Sequence, residues 1–203
     1  VVITSVTRDD LPDGGAEHFS NCINAIRKGK GKRRNKNCST VQPFDLSTLK
    51  IEILTPDFKG NTKALDIIIK SHPDVFNHNI ETVSELFKIA RPQATYQCSL
   101  NVLNYIKENS DITTKSGLMV GLGETIEQIE QTLVDLKNIG CDIITIGQYI
   151  QPSKEHLEVS KYYTLEEFEQ LKELAKKIGI KKYQIGPLVR SSYNAMETAS
   201  LSN

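Results

Sequence analysis

The 203-residue sequence lacks features that mark several classes of protein. It contains no Trp and only two Met, and its four cysteines (Cys22, Cys38, Cys98 and Cys141) form no C-x-x-C pair. Zinc knuckles and disulfide frameworks depend on such spacings, so we predict four reduced structural thiols in an intracellular protein. No uncharged apolar run approaches the roughly 20 residues of a membrane span, so we expect no transmembrane segment and no membrane partner.

The sequence also lacks a net charge, because 25 basic residues balance 25 acidic ones. This balance conceals an uneven distribution. Residues 27–36 hold seven Lys and Arg and no acid, which leaves 18 basic and 25 acidic residues elsewhere, a net charge of −7. The sequence therefore describes an acidic body that carries one strongly basic segment.

The basic segment belongs to a stretch, 28–48, that has no apolar periodicity and is rich in Lys, Arg and Asn. Such a composition between a helix and a strand is typical of a disordered surface insertion. A binding patch for nucleic acid is the alternative, since clustered basic residues neutralise phosphates. No aromatic residues are interleaved with the basic ones, however, so stacking on bases is not expected, and we predict no nucleic-acid partner.

The rest of the chain alternates short apolar runs with longer amphipathic segments. In 125–139 the apolar residues recur every three or four positions, which predicts a helix, and Thr125 with Gln128 offers a capping box. Thr82 with Glu85 and Thr164 with Glu167 repeat that signal. The predicted strands are 1–6, 49–54, 74–77, 116–120, 142–147 and 182–186. The predicted helices are 16–27, 62–71, 83–90, 98–109, 125–139 and 165–178.

This alternation is typical of βαβ units with a parallel sheet, and we predict a single α/β domain over 1–203 that forms a partial (β/α) barrel of the TIM type. In such barrels the loops after the strands converge on one face. Here those loops are polar or rich in glycine, and they comprise 7–15, 55–60, 77–82, 121–124 and 148–153. Five such loops on one face favour an enzyme that binds a polar ligand over an inert scaffold.

Each loop also has an ordinary structural interpretation. The Gly121-Leu122-Gly123 sequence fits a tight turn as well as a ligand loop, because glycine lets backbone N–H groups approach a ligand. His78 could be a base, a ligand or a hydrogen-bonded wall residue. Arg8, Asp9 and Asp10 could simply form an ion-paired turn.

The first six residues, Val-Val-Ile-Thr-Ser-Val, predict a buried strand. They include neither an initiator Met nor a targeting sequence. We therefore expect that the chain begins inside a core strand and that an N-terminal portion, with any targeting signal, precedes it.

Five blocks of the sequence closely resemble lipoyl synthases, a family of radical S-adenosylmethionine enzymes. They occur in the family's order and cover most of the chain apart from the insertion. The blocks are VITSVTRDDLPDGGA at 2–16, PDVFNHNIET at 73–82, KSGLMVGLGE at 115–124, GQY with QPS at 147–153, and GPLVRSSY at 186–193.

The resemblance implies a partial β/α barrel of the radical S-adenosylmethionine kind with two 4Fe–4S clusters. One cluster cleaves S-adenosylmethionine to a radical, and the auxiliary cluster supplies two sulfur atoms to C6 and C8 of a protein-bound octanoyl-lysine. The protein must then position the substrate and exclude water, because unactivated C–H bonds offer no handle to an acid or base. The family's two cysteine motifs would lie before residue 1, and none of the four cysteines here matches them, so the fragment alone is expected to be inactive.

The resemblance also assigns site residues. Ser192 would be the catalytic serine ligand of the auxiliary cluster, and Arg190 would support it together with Ser191. Arg8 and Asp9 could border the substrate or its carrier. The expected contacts with S-adenosylmethionine are Asn77, Asn79, Glu81, Gly121, Gly123, Glu124 and Gln148.

The partners implied are octanoylated carrier domains, either E2 subunits of 2-oxoacid dehydrogenases or the glycine cleavage H protein, and an electron donor such as ferredoxin or flavodoxin. The Lys- and Asn-rich insertion favours an organelle, an apicoplast or other plastid or a mitochondrion, whereas a bacterial protein would be cytoplasmic. Two other functions stay open: a biotin-synthase-like sulfur-insertion enzyme, and a non-catalytic barrel with a basic binding loop.

Overall fold

The structure, a computed structural model, describes residues 1–29 and 49–192. The predicted insertion over 28–48 lies outside the described residues apart from Lys28 and Gly29, and so do Cys38 and Tyr193. None of the described helices is long and apolar enough to cross a lipid bilayer.

Strands and helices alternate through the described part of the chain, as the sequence predicts. The strands are β1 (Val2–Thr4), β2 (Glu52–Leu54), β3 (Val75–Asn77), β4 (Thr113–Val120), β5 (Ile143–Gln148) and β6 (Lys182–Ile185). The helices are α1 (Ala16–Lys28), α2 (Thr62–Ser71), α3 (Phe87–Ala90), α4 (Tyr96–Asn109), α5 (Ile126–Asn138) and α6 (Leu165–Ile178), with 3₁₀ turns at Phe58–Gly60 and Ser84–Leu86.

All six strands pair in parallel and in chain order from β1 to β6. Among the described residues β1 and β6 do not pair with each other, so the sheet remains open. Parallel strands in chain order, joined by helical crossovers and not closed into a ring, form a partial (β/α) barrel. The predicted fold class is thereby confirmed.

The two faces of the sheet differ in chemistry. Ile53, Phe76 and Ile144 belong to the apolar core formed with the helices. Because side chains alternate along a strand, Glu52 and Lys115 project from the opposite face, together with Asn77, which is in register with Lys115. We call this second, more polar surface the inner face of the sheet.

Two of the three predicted capping boxes are present. Thr125 and Thr164 each accept a hydrogen bond from the backbone N–H three residues later, and Gln128 and Glu167 return it. The prediction for Thr82 is wrong, because Val83 is the cap of the following 3₁₀ turn and Thr82 is fully buried. The preceding residue, Glu81, still pairs with β4. This pairing directs the Thr82 side chain into the protein, so Thr82 does not start a helix.

The prediction of a buried strand over 1–6 is also wrong. β1 covers only Val2–Thr4, and Val1 and Val6 are 53% and 76% exposed. In the described part of the sheet β1 pairs only with β2, so a neighbouring strand shields it along one edge only. Val2 and Ile3 are half-buried, and Ile3 packs against the apolar core.

Candidate active site

A polar cavity of about 190 Å³ lies at the carboxyl ends of β1, β2 and β3. Two of its atoms, Thr55 Oγ1 and Asn79 Oδ1, are buried and have no hydrogen-bond partner among the described residues. Buried polar atoms are normally paired, so such atoms at a cavity wall indicate a place for a ligand's donors. The polar lining residues include Ser5, Thr55, His78, Asn79, Glu81 and Arg91.

Glu81 lines this cavity, and its backbone is strained. Its φ of 68° lies in the left-handed region that residues with a side chain seldom adopt, at a cost of roughly 1–3 kcal/mol. Its N–H donates to the Gly117 carbonyl and its carbonyl accepts from Met119 N–H, so pairing with β4 holds it there. Burial raises the pKa of the Glu81 carboxyl, although a hydrogen bond with Asn79 and the charge of Arg91 oppose this effect.

His78 forms a wall of the same cavity and is 2% exposed. Its Nδ1 lies 2.9 Å from the carbonyl oxygen of Thr55, and its Nε2 lies 3.0 Å from Ser99 Oγ. Burial lowers the pKa of His78 to about 4, so the ring is neutral near pH 7. Of the three open interpretations, the structure matches the hydrogen-bonded wall residue.

Glu124 closes the loop after β4 by accepting hydrogen bonds from the backbone N–H groups of two other residues in that loop. Its Oε1 lies 2.6 Å from Gly121 N and its Oε2 lies 2.9 Å from Leu122 N. The Tyr163 hydroxyl donates to Oε1 at 3.0 Å. Gly121 and Gly123 both have positive φ, near 108°, which a tight turn requires of glycine. The carboxylate therefore shapes this loop.

Gln148 fixes the neighbouring loop after β5. Its Nε2 donates to the carbonyl oxygens of Tyr149 and Lys161, each at 3.0 Å, and its Oε1 accepts from Tyr163 N at 2.9 Å. Gly121 and Gln148 are adjacent, because a Cβ on Gly121 would lie 2.3 Å from Gln148 Nε2. These amide and carboxylate groups form a loop-building network, and their predicted contacts with S-adenosylmethionine remain predictions.

The C-terminal segment Gly186–Ser192, which we call the tail, crosses the inner face. The Val189 carbonyl oxygen approaches Gly147 on β5, and the Ser191 carbonyl oxygen lies 3.5 Å from Asn77 Nδ2 on β3. Ser192 is exposed at the end of the described chain. The structure thus brings the tail to the sheet that also supports the cavity, while the predicted roles of Arg190 and Ser192 stay predictions.

Sequence patterns did not reveal a buried ion pair beneath the tail. Lys115 Nζ lies 3.1 Å and 3.2 Å from the two carboxylate oxygens of Glu52, and both side chains are almost fully buried. Asn77 Nδ2 donates to Glu52 Oε1 at 2.9 Å. The available signal was a charged residue within each of two largely buried strands, β2 and β4.

A larger cavity, of about 480 Å³, lies at the amino ends of β3 and β4. Asp74 at its wall pairs with Arg27 and Lys50 and accepts a hydrogen bond from Ile51 N. In β/α barrels this end supports stability, and the ligand loops are at the other end. The smaller cavity is therefore the better candidate despite its size.

Residues able to hold a metal cluster are not gathered within 1–29 and 49–192. No three His, Cys, Asp or Glu side chains there form a group that could bind a metal ion. Cys22 and Cys98 belong to α1 and α4, and Cys141 precedes β5. Burial raises the pKa of Cys141 to about 12, which disfavours the thiolate that iron binds. The described cysteines do not fit a 4Fe–4S cluster.

Curated proteins from bacteria are similar to nearly the whole chain. Proteins named lipoyl synthase from Chlorobium phaeobacteroides and Caldicellulosiruptor bescii are 47% and 50% identical over 200 and 202 residues. The match covers 98% and 99% of this chain and 64% of each relative. The lipoyl synthase of Pseudoalteromonas translucida is 50% identical, and the chain covers 58% of it. The chain thus spans about three fifths of the relatives' length.

A solved structure shares the fold. The crystal structure of hydroxymethylglutaryl-CoA lyase from Pseudomonas aeruginosa matches 98% of this chain and 58% of its own, with a TM-score of 0.55. The two sequences are 13% identical, so the likeness concerns the fold alone.

The family model of the radical SAM superfamily matches residues 1–136. This range contains β1 to β4 and all the residues that line the polar cavity. With two thirds of its length matched and with the fold described above, this chain belongs to the radical SAM superfamily.

Proposed function

We propose that the protein containing this chain is a lipoyl synthase, which inserts two sulfur atoms at C6 and C8 of a protein-bound octanoyl-lysine. The observation that carries the proposal is the near-50% identity to proteins of that name over almost the whole chain. Membership in the superfamily implies S-adenosylmethionine and 4Fe–4S clusters as cofactors.

S-adenosylmethionine would bind at the polar cavity, whose residues fit a polar ligand. Thr55 Oγ1 and Asn79 Oδ1 offer unused acceptors, and Glu81 and Arg91 bring opposite charges to the same wall. The cavity is smaller than the roughly 300–1,000 Å³ of sites that enclose a drug-sized ligand. Part of the cofactor would therefore lie outside it, against the loops that Glu124 and Gln148 shape.

Two sets of ligands would hold the clusters, and the described residues contribute little to either. Three cysteines for each cluster would come from outside the described chain. Ser192 would add a serine oxygen to the auxiliary, sulfur-donating cluster, and its exposure leaves that oxygen accessible. A serine oxygen would be a harder ligand than a thiolate, so Ser192 would give the auxiliary cluster one iron site that differs from the others.

The inner face of the sheet would guide the substrate. It carries Leu54 and Met119 beside polar groups such as Thr145. The apolar side chains would contact the octanoyl chain, and the proposed reaction would require no catalytic acid or base from this face. The carrier would be an octanoylated E2 domain or H protein, and a ferredoxin or flavodoxin would supply electrons.

Anaerobic reconstitution of the full-length protein tests this function. We would load it with iron and sulfide, add S-adenosylmethionine, a reductant and an octanoylated carrier domain, and follow the carrier by mass spectrometry. The expected product gains two sulfur atoms with no net loss of hydrogen, because each of two C–H bonds becomes C–SH. Oxidation of this dithiol to the cyclic disulfide in air then removes two hydrogen atoms. The same reaction with dethiobiotin as substrate tests the biotin-synthase-like alternative.

Two controls separate the outcomes. A variant that lacks residues 28–36 should retain sulfur insertion if the protein is a lipoyl synthase. If it is instead a non-catalytic protein with a basic binding loop, the same deletion should abolish its binding of nucleic acid. Sulfur insertion into dethiobiotin and not into the octanoyl carrier would refute the proposal.

We further propose that the protein works in an organelle, an apicoplast or other plastid or a mitochondrion. The support is the Lys- and Asn-rich composition of 28–48, a segment of which the structure describes only Lys28 and Gly29. The relatives named above are bacterial. Imaging of the fluorescently tagged full-length protein in its own cells decides between an organelle and the cytoplasm.

A further inference from the structure

The buried ion pair on the inner face is not part of the polar cavity. The side chains of Lys115 and Glu52 are 0% and 5% exposed, and the ammonium reaches both carboxylate oxygens. Burying two charges costs several kcal/mol of desolvation, and a hydrophobic pair of similar volume is often at least as stable. Stability alone therefore does not explain two charges at this position, and their contacts indicate what else they do.

Asn77 connects this ion pair to the tail. Its Nδ2 carries two hydrogens, and it donates one bond to Glu52 Oε1 at 2.9 Å and a longer one to the Ser191 carbonyl oxygen at 3.5 Å. Asn77 is itself 0% exposed. The Lys115 ammonium fixes the carboxylate, the carboxylate fixes the amide, and the amide faces the backbone of the tail.

A second contact holds the tail at β5. A Cβ added to Gly147 would lie 2.2 Å from the Val189 carbonyl oxygen, so only glycine allows the tail to approach so closely. Val189 N–H also donates to the Gly186 carbonyl, which turns the chain back over the sheet. The tail is thus held above β5 and above β3, and Ser192 follows directly after the second point.

We propose that Glu52 and Lys115 are positioning residues that act through Asn77 to hold the tail across the inner face and so fix the place of Ser192. The anchoring itself is a property of the described residues. Its consequence for sulfur insertion rests on the proposed function, because Ser192 has a chemical role only if the protein is a lipoyl synthase.

Trypsin cleavage of the Arg190–Ser191 bond measures the anchoring. Arg190 is unchanged in every variant, so the rate of cleavage in the folded full-length protein, followed by mass spectrometry, reports how often the tail detaches. Asn77→Ala should raise this rate about tenfold or more, because it removes the amide that faces Ser191. Glu52→Leu with Lys115→Met removes the charges, keeps an apolar filling and should raise the rate as well.

Ser116→Ala is the matched structural control. Ser116 follows Lys115 on the same strand but faces the other way, and its Oγ accepts from Ile80 N at 3.0 Å. This variant should lose stability while the Arg190–Ser191 bond stays protected. Thermal unfolding of all variants gives the stabilities for the comparison.

Equal cleavage rates in Asn77→Ala and Ser116→Ala would overturn the proposal. If Asn77→Ala does not fold, the double variant decides, and cleavage at the wild-type rate would overturn it equally. A wild-type protein that forms no lipoyl product refutes the proposed function but leaves a cleavage difference intact, so the two failures are distinguishable.

Discussion

His78 Nε2 lies 3.0 Å from Ser99 Oγ, which ties the end of β3 to α4 through a ring that is buried and neutral. The pKa of His78 in the fold is about 4, compared with an ordinary value of 6.5. Because the unfolded chain binds the proton more tightly, the stabilising contribution is present above pH 6.5 and is lost as the pH falls towards 4.

We expect the free energy of unfolding to fall by about 2 kcal/mol between pH 7.5 and pH 5 through His78 alone. Urea denaturation at the two pH values measures this change. His78→Gln cannot titrate and should show a flatter dependence. An unchanged pH dependence in the variant would mean that other groups cause it.

The ion pair between Lys115 and Glu52 predicts a strongly non-additive pair of substitutions. Lys115→Met leaves a buried carboxylate and Glu52→Leu leaves a buried ammonium, so each should cost about 3–5 kcal/mol of stability. The double variant should cost much less than the sum. Urea denaturation of the four proteins gives the coupling energy. Single variants that each lose under about 1 kcal/mol would show that the pair is solvated.

The close approach at Gly147 predicts that Gly147→Ala displaces the tail. The added methyl would meet the Val189 carbonyl oxygen at 2.2 Å, a contact that requires the backbone to move. Hydrogen exchange of peptides that cover 186–192 should accelerate. Gly186→Ala is the control, since its Cβ would meet Val189 Cγ2 at an ordinary 3.6 Å. Equal exchange in both variants would contradict the described path of the tail.

The role of Ser192 that the resemblance implies predicts a split between two activities. Ser192→Ala in the full-length protein should leave S-adenosylmethionine cleavage largely intact and abolish the lipoyl product. Ser191→Ala removes a hydroxyl but keeps the carbonyl that faces Asn77, so some product should still form. Chromatographic assay of 5′-deoxyadenosine and mass spectrometry of the carrier measure both activities. Normal product formation by Ser192→Ala would show that the serine is not the ligand.

The alternation of strands and helices was predictable because it depends on local signals. The helix α6 illustrates this: Thr164, Glu167 and Gly179 mark its two ends, and the structure uses all three. The polar loops after the strands were predictable for the same reason, since parallel strands place their carboxyl ends together.

The inner-face ion pair could not be predicted, because it depends on the register of three strands. Glu52 and Lys115 are 63 positions apart and meet only when β2, β3 and β4 align. The predicted capping box at Thr82 was wrong for a related reason, because the pairing of Glu81 with β4 overrides the local helix signal. Contacts across the sheet, and not composition, determine both.

The chain order of the strands has a consequence for folding. Each strand from β2 to β6 pairs with the one before it, so every pairing closes only the single crossover between two consecutive strands. The contact between Asn77 and Ser191 spans 114 positions and requires β3 and β5 to be in place first. From this separation we expect the tail to reach the inner face late in folding, so that Arg190, Ser191 and Ser192 take their positions only on a formed sheet.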